Sequence, residues 1–303
     1  MGYSARYHAA SLAAVLLALA IGLLIGAGIG DDVLSDTSQS LERSLESDLT
    51  DARAREDELA AELERERAFG LRVYPALTGQ RLRGESVGVV ALGDLPEDLA
   101  SQIEATVDPT GARLAKVAVV REPPDLAGIE EQLGGSFRNL QSDPAQVERL
   151  GRLVGEQLVG GGGLVTRARE QLLERFSGRR GPVDNAILVI QRPEELAAED
   201  SEIVDRYEAG LLDGVRAAGT PVVGVELRAT SPTTVPTFEA HDIPTSDSLE
   251  LTSGKLAAVF VLLGAKGNFG VKEEADALLP EVVRPAAERG RPPSAGAGGS
   301  GQK

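Results

Sequence analysis

The sequence predicts an α/β protein with an N-terminal single transmembrane helix, a coiled-coil stalk and a domain built on a mostly parallel, Rossmann-like sheet. Three observations predict this organisation. An uncharged apolar run occupies residues 9–30, and a charged segment with regularly spaced apolar residues occupies 31–70. After residue 70, short apolar runs alternate with amphipathic segments. That alternation is typical of a parallel sheet covered by helices on both faces.

The apolar run from Ala9 to Gly30 contains one polar side chain, Ser11, and no charge. A helix of about 22 residues is about 33 Å long, which is enough to cross the hydrocarbon core of a bilayer. Arg6 precedes the run and Asp31 follows it, and positive charge stays on the cytoplasmic side of a membrane. We therefore expect residues 1–8 to be cytoplasmic and the C-terminal domain to be extracytoplasmic, in a single-pass membrane protein.

A cleaved signal peptide is the alternative interpretation of this run. Small residues at Ala27 and Gly28 suit signal peptidase, but the apolar part of a signal peptide usually has about 7–15 residues. Because this run is longer, we favour an uncleaved anchor. A later apolar segment, 256–264, is bracketed by Lys255 and Lys266 and is too short to span a bilayer, so it predicts a buried core helix.

Small residues recur at every fourth position of the predicted transmembrane helix. This spacing places them on one face, where a second helix can approach closely. The stripe predicts helix packing, and hence self-association, through Ala14, Ala18, Gly22, Gly26 and Gly30.

The charged segment 31–70 contains no Pro, and its first Gly is Gly70. Its apolar residues follow a period near 3.5 residues, which is typical of a coiled coil. The period is imperfect, because Asp48, Arg55 and Glu62 occupy positions that a strict heptad makes apolar. One interpretation is a solvated stalk, and the other, which we favour, is a parallel homodimer. The predicted seam comprises Leu34, Leu41, Leu45, Ala52, Leu59 and Leu63.

Residues 71–288 are predicted to form the extracytoplasmic α/β domain. Buried strands are predicted at 86–92, 114–120, 186–190 and 221–226. Helices are predicted at 96–107, 145–159, 164–176, 201–218 and 251–263. A Thr-, Pro- and Ser-rich connection spans 229–250, and the Pro-, Gly- and Ser-rich tail 289–303 is predicted to be disordered.

The overall charge limits the range of partners. The chain of 303 residues carries 47 acidic and 31 basic side chains, a net charge of −16. Nucleic-acid binding needs a clustered basic surface, so we expect no nucleic-acid partner. The chain has no Cys, so no disulfide supports the extracytoplasmic domain. The expected partners are membrane lipid, further copies of the chain in a homo-oligomer, and an envelope protein.

Few residues suggest catalysis. A Ser–His–Asp set would have to use His241, with Asp242 beside it, but the sequence contains no Gly-x-Ser-x-Gly nucleophile elbow. The tetraglycine Gly160–Gly163 lacks the Lys-Ser/Thr of a phosphate-binding P-loop and predicts a hinge between two helices. Asp94 follows the first predicted strand. It is either a ligand-binding carboxylate at the carboxyl end of the sheet or, as we favour, the N-cap of the next helix.

Metal ligands are also scarce in the sequence. Thiolate and thioether ligands select Cu(I), and imidazole suits Cu(II) and zinc. The chain has no Cys, the single Met is Met1, and the two His are His8 and His241. We therefore expect no closed transition-metal site within one chain, no cofactor and no catalytic residues, and thus a protein that is not an enzyme.

Three segments carry a resemblance to a known family. They are the N-terminal run Tyr7–Gly22, the block Gly84–Val120, and a late segment with Asn268-Phe269-Gly270-Val271 followed by Leu278-Leu279-Pro280. In collinear order over most of residues 1–285, they resemble the actinobacterial copper transport outer membrane proteins of the MctB family. The resemblance implies a role in copper efflux or copper resistance at the cell envelope, through a pore in the outer membrane. It carries no ligand or catalytic motif onto particular residues.

The residues themselves support a second hypothesis, a non-enzymatic scaffold or regulator of envelope remodelling and cell separation. The small-residue stripe and the seam suit a membrane-anchored coiled coil that presents a domain to partners. A third hypothesis places a small-ligand or enzymatic site near Asp94. Only the fold class supports it, and fold alone is weak evidence for function.

Overall fold

The structure is a computed structural model that describes residues 4–193 and 196–281. The chain divides into two compact units between Glu66 and Arg67. The described part of the first unit is helical, and the second unit contains the sheet. The predicted tail 289–303 and the last residues of the predicted domain, 282–288, lie outside the described residues.

The described residues form a mixed α/β fold, as the sequence predicts. The helices are α1 Ser4–Thr78, α2 Glu97–Val107, α3 Leu126–Leu133, α4 Pro144–Gly160, α5 Gly163–Arg167, α6 Arg169–Leu172, α7 Ala198–Ala217, α8 Val235–Glu239 and α9 Thr252–Leu262. The strands are β1 Ser86–Gly93, β2 Arg113–Val120, β3 Leu173–Gly178, β4 Asn185–Gln191, β5 Val222–Val225, β6 Thr245–Ser246 and β7 Asn268–Phe269.

These strands form one sheet in the order β3-β2-β1-β4-β5-β6-β7. Every neighbouring pair is parallel except β2 and β3, which are antiparallel. The chain moves from β1 to β2 on one side and later returns to place β4 on the other side of β1. The strand order therefore reverses between β1 and β4, and parallel sheets commonly bind ligands at such a position.

The sheet has a hydrophobic core on each face. Along β1, Val90 and Leu92 point into the core formed with α4 and α7, and Val89 and Ala91 point into the core formed with α2 and α9. Because both faces are covered, β1 and β4 are buried along almost their whole length. This explains why these strands are continuous apolar runs in the sequence rather than alternating ones.

The last turns of α1 belong to the second unit. Tyr74 is buried against Leu256 and Val259 of α9, and its hydroxyl donates a 2.7 Å hydrogen bond to the carbonyl oxygen of Thr106 at the end of α2. Nearby, the guanidinium of Arg81 lies over the ring of Phe260. These contacts fix the start of the α/β fold to the helices that cover one face of the sheet.

The predicted helix at 164–176 is wrong in its second half. The structure has the short helices α5 and α6, and then the edge strand β3, which pairs with β2. This pairing satisfies the backbone groups on the outer side of β2, which no local helix could do. The strand is mostly exposed, with Glu174 and Arg175 on its surface, so it lacks the apolar run that marks the other strands.

Several short elements were not predicted. Helix α3 follows β2, and the connection 229–250 contains α8 and β6. Strand β7 has only two residues, Asn268 and Phe269. Helix α8, with five residues, and strands β6 and β7, with two each, are too short to show a period of 3.6 or 2 residues. Helix α3 has eight residues, just over two turns, which also gives a weak pattern.

Candidate functional site at the carboxyl edge of the sheet

The carboxyl ends of β1, β2 and β4 lie together beside the reversal of strand order. Glu122 follows β2 and Arg192 follows β4. Gly93, the last residue of β1, has a φ of 85°, and a Cβ added there would lie 3.0 Å from Oε2 of Glu122. A residue without a side chain at the end of β1 thus leaves space for the Glu122 carboxyl group.

Helix α7 contributes two more polar side chains to this edge. Glu208 is 1% exposed and accepts hydrogen bonds from Nε and Nη2 of Arg192. Arg192 also pairs with Asp205, at 2.8 Å between Nη1 and Oδ1. Tyr207 is fully buried. We call Glu122, Arg192, Tyr207 and Glu208 the Glu122 cluster.

Two members of the Glu122 cluster have unused hydrogen-bonding groups. Among the described residues, neither carboxyl oxygen of Glu122 has a hydrogen-bond partner, and the hydroxyl of Tyr207 has none. Burial raises the pKa of Glu122 to about 9, the negative charge of Glu208 raises it as well, and Arg192 partly offsets both. Glu122 therefore keeps its proton at neutral pH, beside the ion pair of Arg192 and Glu208.

The Glu122 cluster can hold a proton and offer it in a hydrogen bond. A neutral carboxylic acid beside a buried ion pair is a donor as well as an acceptor. Burial, together with the charge on Glu122, also raises the pKa of the Tyr207 hydroxyl, which stays protonated. The cluster thus combines a buried acid with an ion pair between the buried Glu208 and the exposed Arg192, at the edge where ligands bind in this architecture.

A second buried ion pair lies at the carboxyl ends of β5, β6 and β7. Glu226 accepts hydrogen bonds from Thr233, Thr234 and Lys272. Asp247, which is fully buried, accepts the backbone N–H groups of Val271 and Lys272. These carboxylates are occupied by protein donors, so they fasten the segment after β7 to the sheet.

Asp94 lies at the carboxyl edge of β1, but it does not cap a helix. Its Oδ1 accepts the N–H of Leu95 at 2.7 Å, and α2 begins after Pro96 with no side-chain cap. The N-cap interpretation is therefore wrong, because Leu95 and Pro96 separate Asp94 from the first turn. Asp94 is exposed, in contrast to the buried Glu122.

His241 pairs with an acid distant in sequence rather than with its neighbour Asp242. Its Nδ1 lies 2.7 Å from Oδ1 of Asp213 on α7, and Oδ2 of Asp213 accepts a 2.7 Å hydrogen bond from Arg152 on α4. This chain of contacts ties the turn after α8 to the two helices on that face. The tetraglycine lies between α4 and α5, which confirms its predicted position between two helices.

A wide cleft lies at the other edge of the sheet. It has a volume of about 600 Å³ and opens at the amino ends of β5, β6 and β7, between charged side chains that include Arg216, Asp242, Lys266 and Asp276. Within residues 4–193 and 196–281, no group of three or more His, Asp or Glu side chains is placed to hold a metal ion.

The residues predicted for helix packing and for the seam all lie on α1. Ala14 and Ala18 are exposed, and a Cβ added to Gly22 or Gly26 would meet no atom within 4 Å. In the seam, Leu41, Leu45, Ala52, Leu59 and Leu63 are exposed. For Gly30 and Leu34 the structure describes the backbone helix alone. Their packing against a second helix, and the coiled coil itself, stay predictions.

The sequence pattern did not identify the Glu122 cluster. Glu122 and Arg192 each lie two residues after the end of a predicted strand, as Asp94 does, and that position is the signal that singled out Asp94. Glu208 lies within an amphipathic helix and has no such signal. Their convergence depends on the neighbouring positions of β1, β2 and β4 in the sheet.

One stretch of α1 is long and apolar enough to cross a membrane. Tyr7–Gly26 has a mean hydropathy of 2.5 over 20 residues, and its described side chains are exposed. A signal sequence near the N-terminus can also satisfy this criterion of length and composition, so the finding leaves both the anchor and the signal interpretation open.

Comparison with known proteins gives a family match over nearly the whole chain. The family described as copper transport outer membrane protein, MctB, matches residues 3–280. No curated protein matches the chain. The family's name gives a role related to copper transport and a location in the outer membrane. Because the match covers both the apolar helix and the α/β fold, this chain belongs to the MctB family of copper transport outer membrane proteins.

Proposed function

We propose that this protein acts in copper transport and copper homeostasis at the cell envelope, as a non-enzymatic, membrane-anchored homo-oligomer. The observation that carries this proposal is the family match over residues 3–280. The apolar stretch Tyr7–Gly26 supports attachment to a membrane. Under this proposal the helix is an uncleaved anchor, with the N-terminus cytoplasmic and the α/β fold extracytoplasmic.

Copper is the cargo in this proposal. Cu(I) prefers thiolate and thioether ligands, and Cu(II) also accepts imidazole. One chain supplies no Cys, one Met and two His, which is too few for a closed site of its own. We therefore propose that copper handling depends on several chains. The net charge of −16 attracts cations toward such an assembly.

An efflux pore is the sharper form of this proposal. Transmembrane helices from several chains can surround a pore for copper only if they pack closely, and small residues permit that packing. Gly22 and Gly26 each have open space where a Cβ would be, so this face is free to receive a second helix. The exposed seam leucines would continue the contact beyond the membrane.

A scaffold or regulator of envelope remodelling and cell separation is the second candidate function. It is favoured by the exposed leucines on α1: Leu45 and Leu59 are 59% and 65% exposed. Such side chains commonly mark an interaction surface when they form one face of a helix. In this second candidate function, the protein acts on an envelope protein partner rather than on copper.

Growth of a deletion strain over a graded copper series tests the copper role. Zinc and an unrelated envelope stress serve as parallel controls, and the wild-type gene is returned on a plasmid. We expect sensitivity to copper alone, restored by the gene. Unchanged copper tolerance, with chained or misshapen cells, would reject the copper role and support the scaffold.

Conductance of the purified full-length protein in planar bilayers tests the pore. We expect copper-permeable channels that appear only with oligomeric protein. Replacing Gly22 and Gly26 with Leu should reduce the conductance, because the larger side chains keep helices apart. Bilayers that stay non-conducting with every oligomeric form would exclude the pore.

A further inference from the structure

A small cavity with basic walls lies where the tetraglycine approaches β2 and β3. Its volume is about 30 Å³, which is room for about two water molecules. Its charged and polar walls are Lys116, Gln157, Thr166, Arg169 and Arg180. Among the described residues that line it, none is acidic, although the chain as a whole has a net charge of −16.

Lys116 forms the floor of this cavity. It lies on β2, is 4% exposed, and its Nζ donates hydrogen bonds to the carbonyl oxygens of Leu158 and Gly181, the latter at 2.6 Å. A lysine has three N–H donors, so one remains for a bound group. Burial, followed by the charge of Arg179, lowers the pKa of Lys116 to about 8, and a neighbouring anion would stabilise its charged form.

Two arginines complete the basic wall. The guanidinium of Arg169 lies 5.6 Å from the centre of the Phe176 ring, which holds it in place. In the described part of the chain, neither Arg169 nor Arg180 forms a salt bridge with a carboxylate. Three positive charges around one cavity repel each other, and a bound anion relieves this repulsion.

Glycines bring the backbone close to these charges. Gly161 has a φ of 80°, and a Cβ there would lie 3.0 Å from the carbonyl carbon of Gly181. The tetraglycine has no lysine after it in the sequence, as a P-loop would have. The fold supplies one instead, because β2 places Lys116 beside Gly161 and Gly162 in the same cavity.

We propose that this cavity binds a phosphate group, either free or on a larger molecule, through Lys116, Arg169 and Arg180. Arginine and lysine are the residues that recognise phosphate, arginine through paired N–H donors and lysine as a point charge. A doubly charged tetrahedral group balances three cations better than a singly charged carboxylate does. The small volume accommodates two of the phosphate oxygens beside Lys116, and the rest of the ligand would lie outside it, between the exposed side chains of Arg169 and Arg180.

Isothermal titration of the full-length protein in detergent, at constant ionic strength, tests this site. The probes are inorganic phosphate, glycerol 3-phosphate and a short-chain phosphatidic acid. The test variant is Arg169→Gln with Arg180→Gln. Both side chains are exposed, so the variant should fold, and Lys116 is kept because it also holds the end of α4. The matched control is Arg138→Gln, an exposed arginine outside the cavity.

We expect the wild type and the control to bind at least one probe, and the double variant to bind it about tenfold or more weakly. If phosphatidic acid binds more tightly than the other two probes, the phosphate group recognised by the cavity belongs to a lipid headgroup. If inorganic phosphate or glycerol 3-phosphate binds equally or more tightly, it belongs to a soluble phosphate. The proposal is overturned if no probe binds the wild type, or if the double variant binds as well as the control.

Discussion

Gly155 of α4 lies directly against the carbonyl oxygen of Leu211 on α7, and a Cβ added to Gly155 would overlap that oxygen and lie 2.9 Å from the amide nitrogen of Val215. The same close approach recurs along this helix pair at Gly151, Gly210 and Gly214. The two helices therefore touch backbone to backbone over two turns. This contact sets the distance between α4 and α7, and through them the position of Glu208 and Asp213.

Replacing Gly155 with Ala should destabilise the protein. The methyl group cannot fit without separating the helices, and overpacking of this kind costs about 1–3 kcal/mol. The measurement is the thermal unfolding midpoint. Gly160→Ala is the control, because Gly160 is the last residue of α4 and has open space around its Cβ position. Equal melting temperatures for the two variants would show that α4 and α7 do not pack this closely.

The pH dependence of stability should change when Glu122 becomes Gln. The pKa of Glu122 is raised to about 9 in the folded chain, whereas an unfolded Glu has a pKa of about 4.3. Between these values the folded state binds more protons, so this carboxyl lowers stability progressively as pH rises from about 4 toward 9. Glu122→Gln should be more stable than the wild type at pH 8, and the difference should disappear near pH 4.

Unfolding of both proteins by urea at a series of pH values would measure this difference. Glu97→Gln, at an exposed position in the first turn of α2, controls for the loss of one carboxylate. If the free energy of unfolding depends on pH in the same way for the wild type and for Glu122→Gln, then Glu122 is ionised in the folded protein.

The ion pair between Glu226 and Lys272 should contribute more to stability than a surface pair. The two side chains are 4% and 12% exposed, and removing one partner of a buried pair leaves the other charge uncompensated, at a cost of about 3–5 kcal/mol. We expect Glu226→Gln to lower the free energy of unfolding by an amount approaching this range. Glu202→Gln, which breaks the exposed pair with Arg206, should cost less than about 0.5 kcal/mol. Similar losses in both variants would contradict the structural role assigned to Glu226.

The predicted seam on α1 should control oligomerisation. Introducing charge at Leu45 and Leu59 places unpaired carboxylates between the helices of a coiled coil, which the apolar seam cannot accommodate. We expect the Leu45→Asp, Leu59→Asp variant to dissociate at least tenfold more readily than the wild type, measured by light scattering of the full-length protein over a dilution series. Ala54→Asp adds a charge outside the seam and should behave as the wild type does. If the seam substitutions leave the molar mass from light scattering unchanged, the coiled-coil dimer is rejected.

Prediction from sequence succeeded for elements whose identity depends on local pattern. The observed bounds of β1, Ser86–Gly93, and of α2, Glu97–Val107, differ by one residue from the predicted ones. Strand β1 is buried on both faces and therefore appears as an apolar run, whereas α2 is buried on one face and therefore shows a 3.6-residue period. The edge strand β3, Leu173–Gly178, has no such cover on its outer side, and its first four residues, 173–176, were predicted as helix.

The candidate sites could not be predicted in the same way. Glu122, Arg192 and Glu208 come from three elements, and they meet only because β4 returns to lie beside β1. Lys116 similarly reaches the tetraglycine from a different strand. A sequence pattern records neighbours within a few residues, whereas these contacts join residues from 16 positions apart, as between Arg192 and Glu208, to about 90 positions apart in the chain.

The sequence alone thus determined the parts that depend on composition and period: an apolar helix long enough to cross a membrane, a charged helical segment, and an α/β fold with parallel buried strands. The tertiary structure decided the strand order, the edge strand β3, the backbone contact between Gly155 and Leu211, and the neighbours of each buried charge. The physical reason is that local hydrogen bonding and periodic burial are properties of short segments. The environment of Glu122 or Lys116 exists only when distant segments pack together and exclude water.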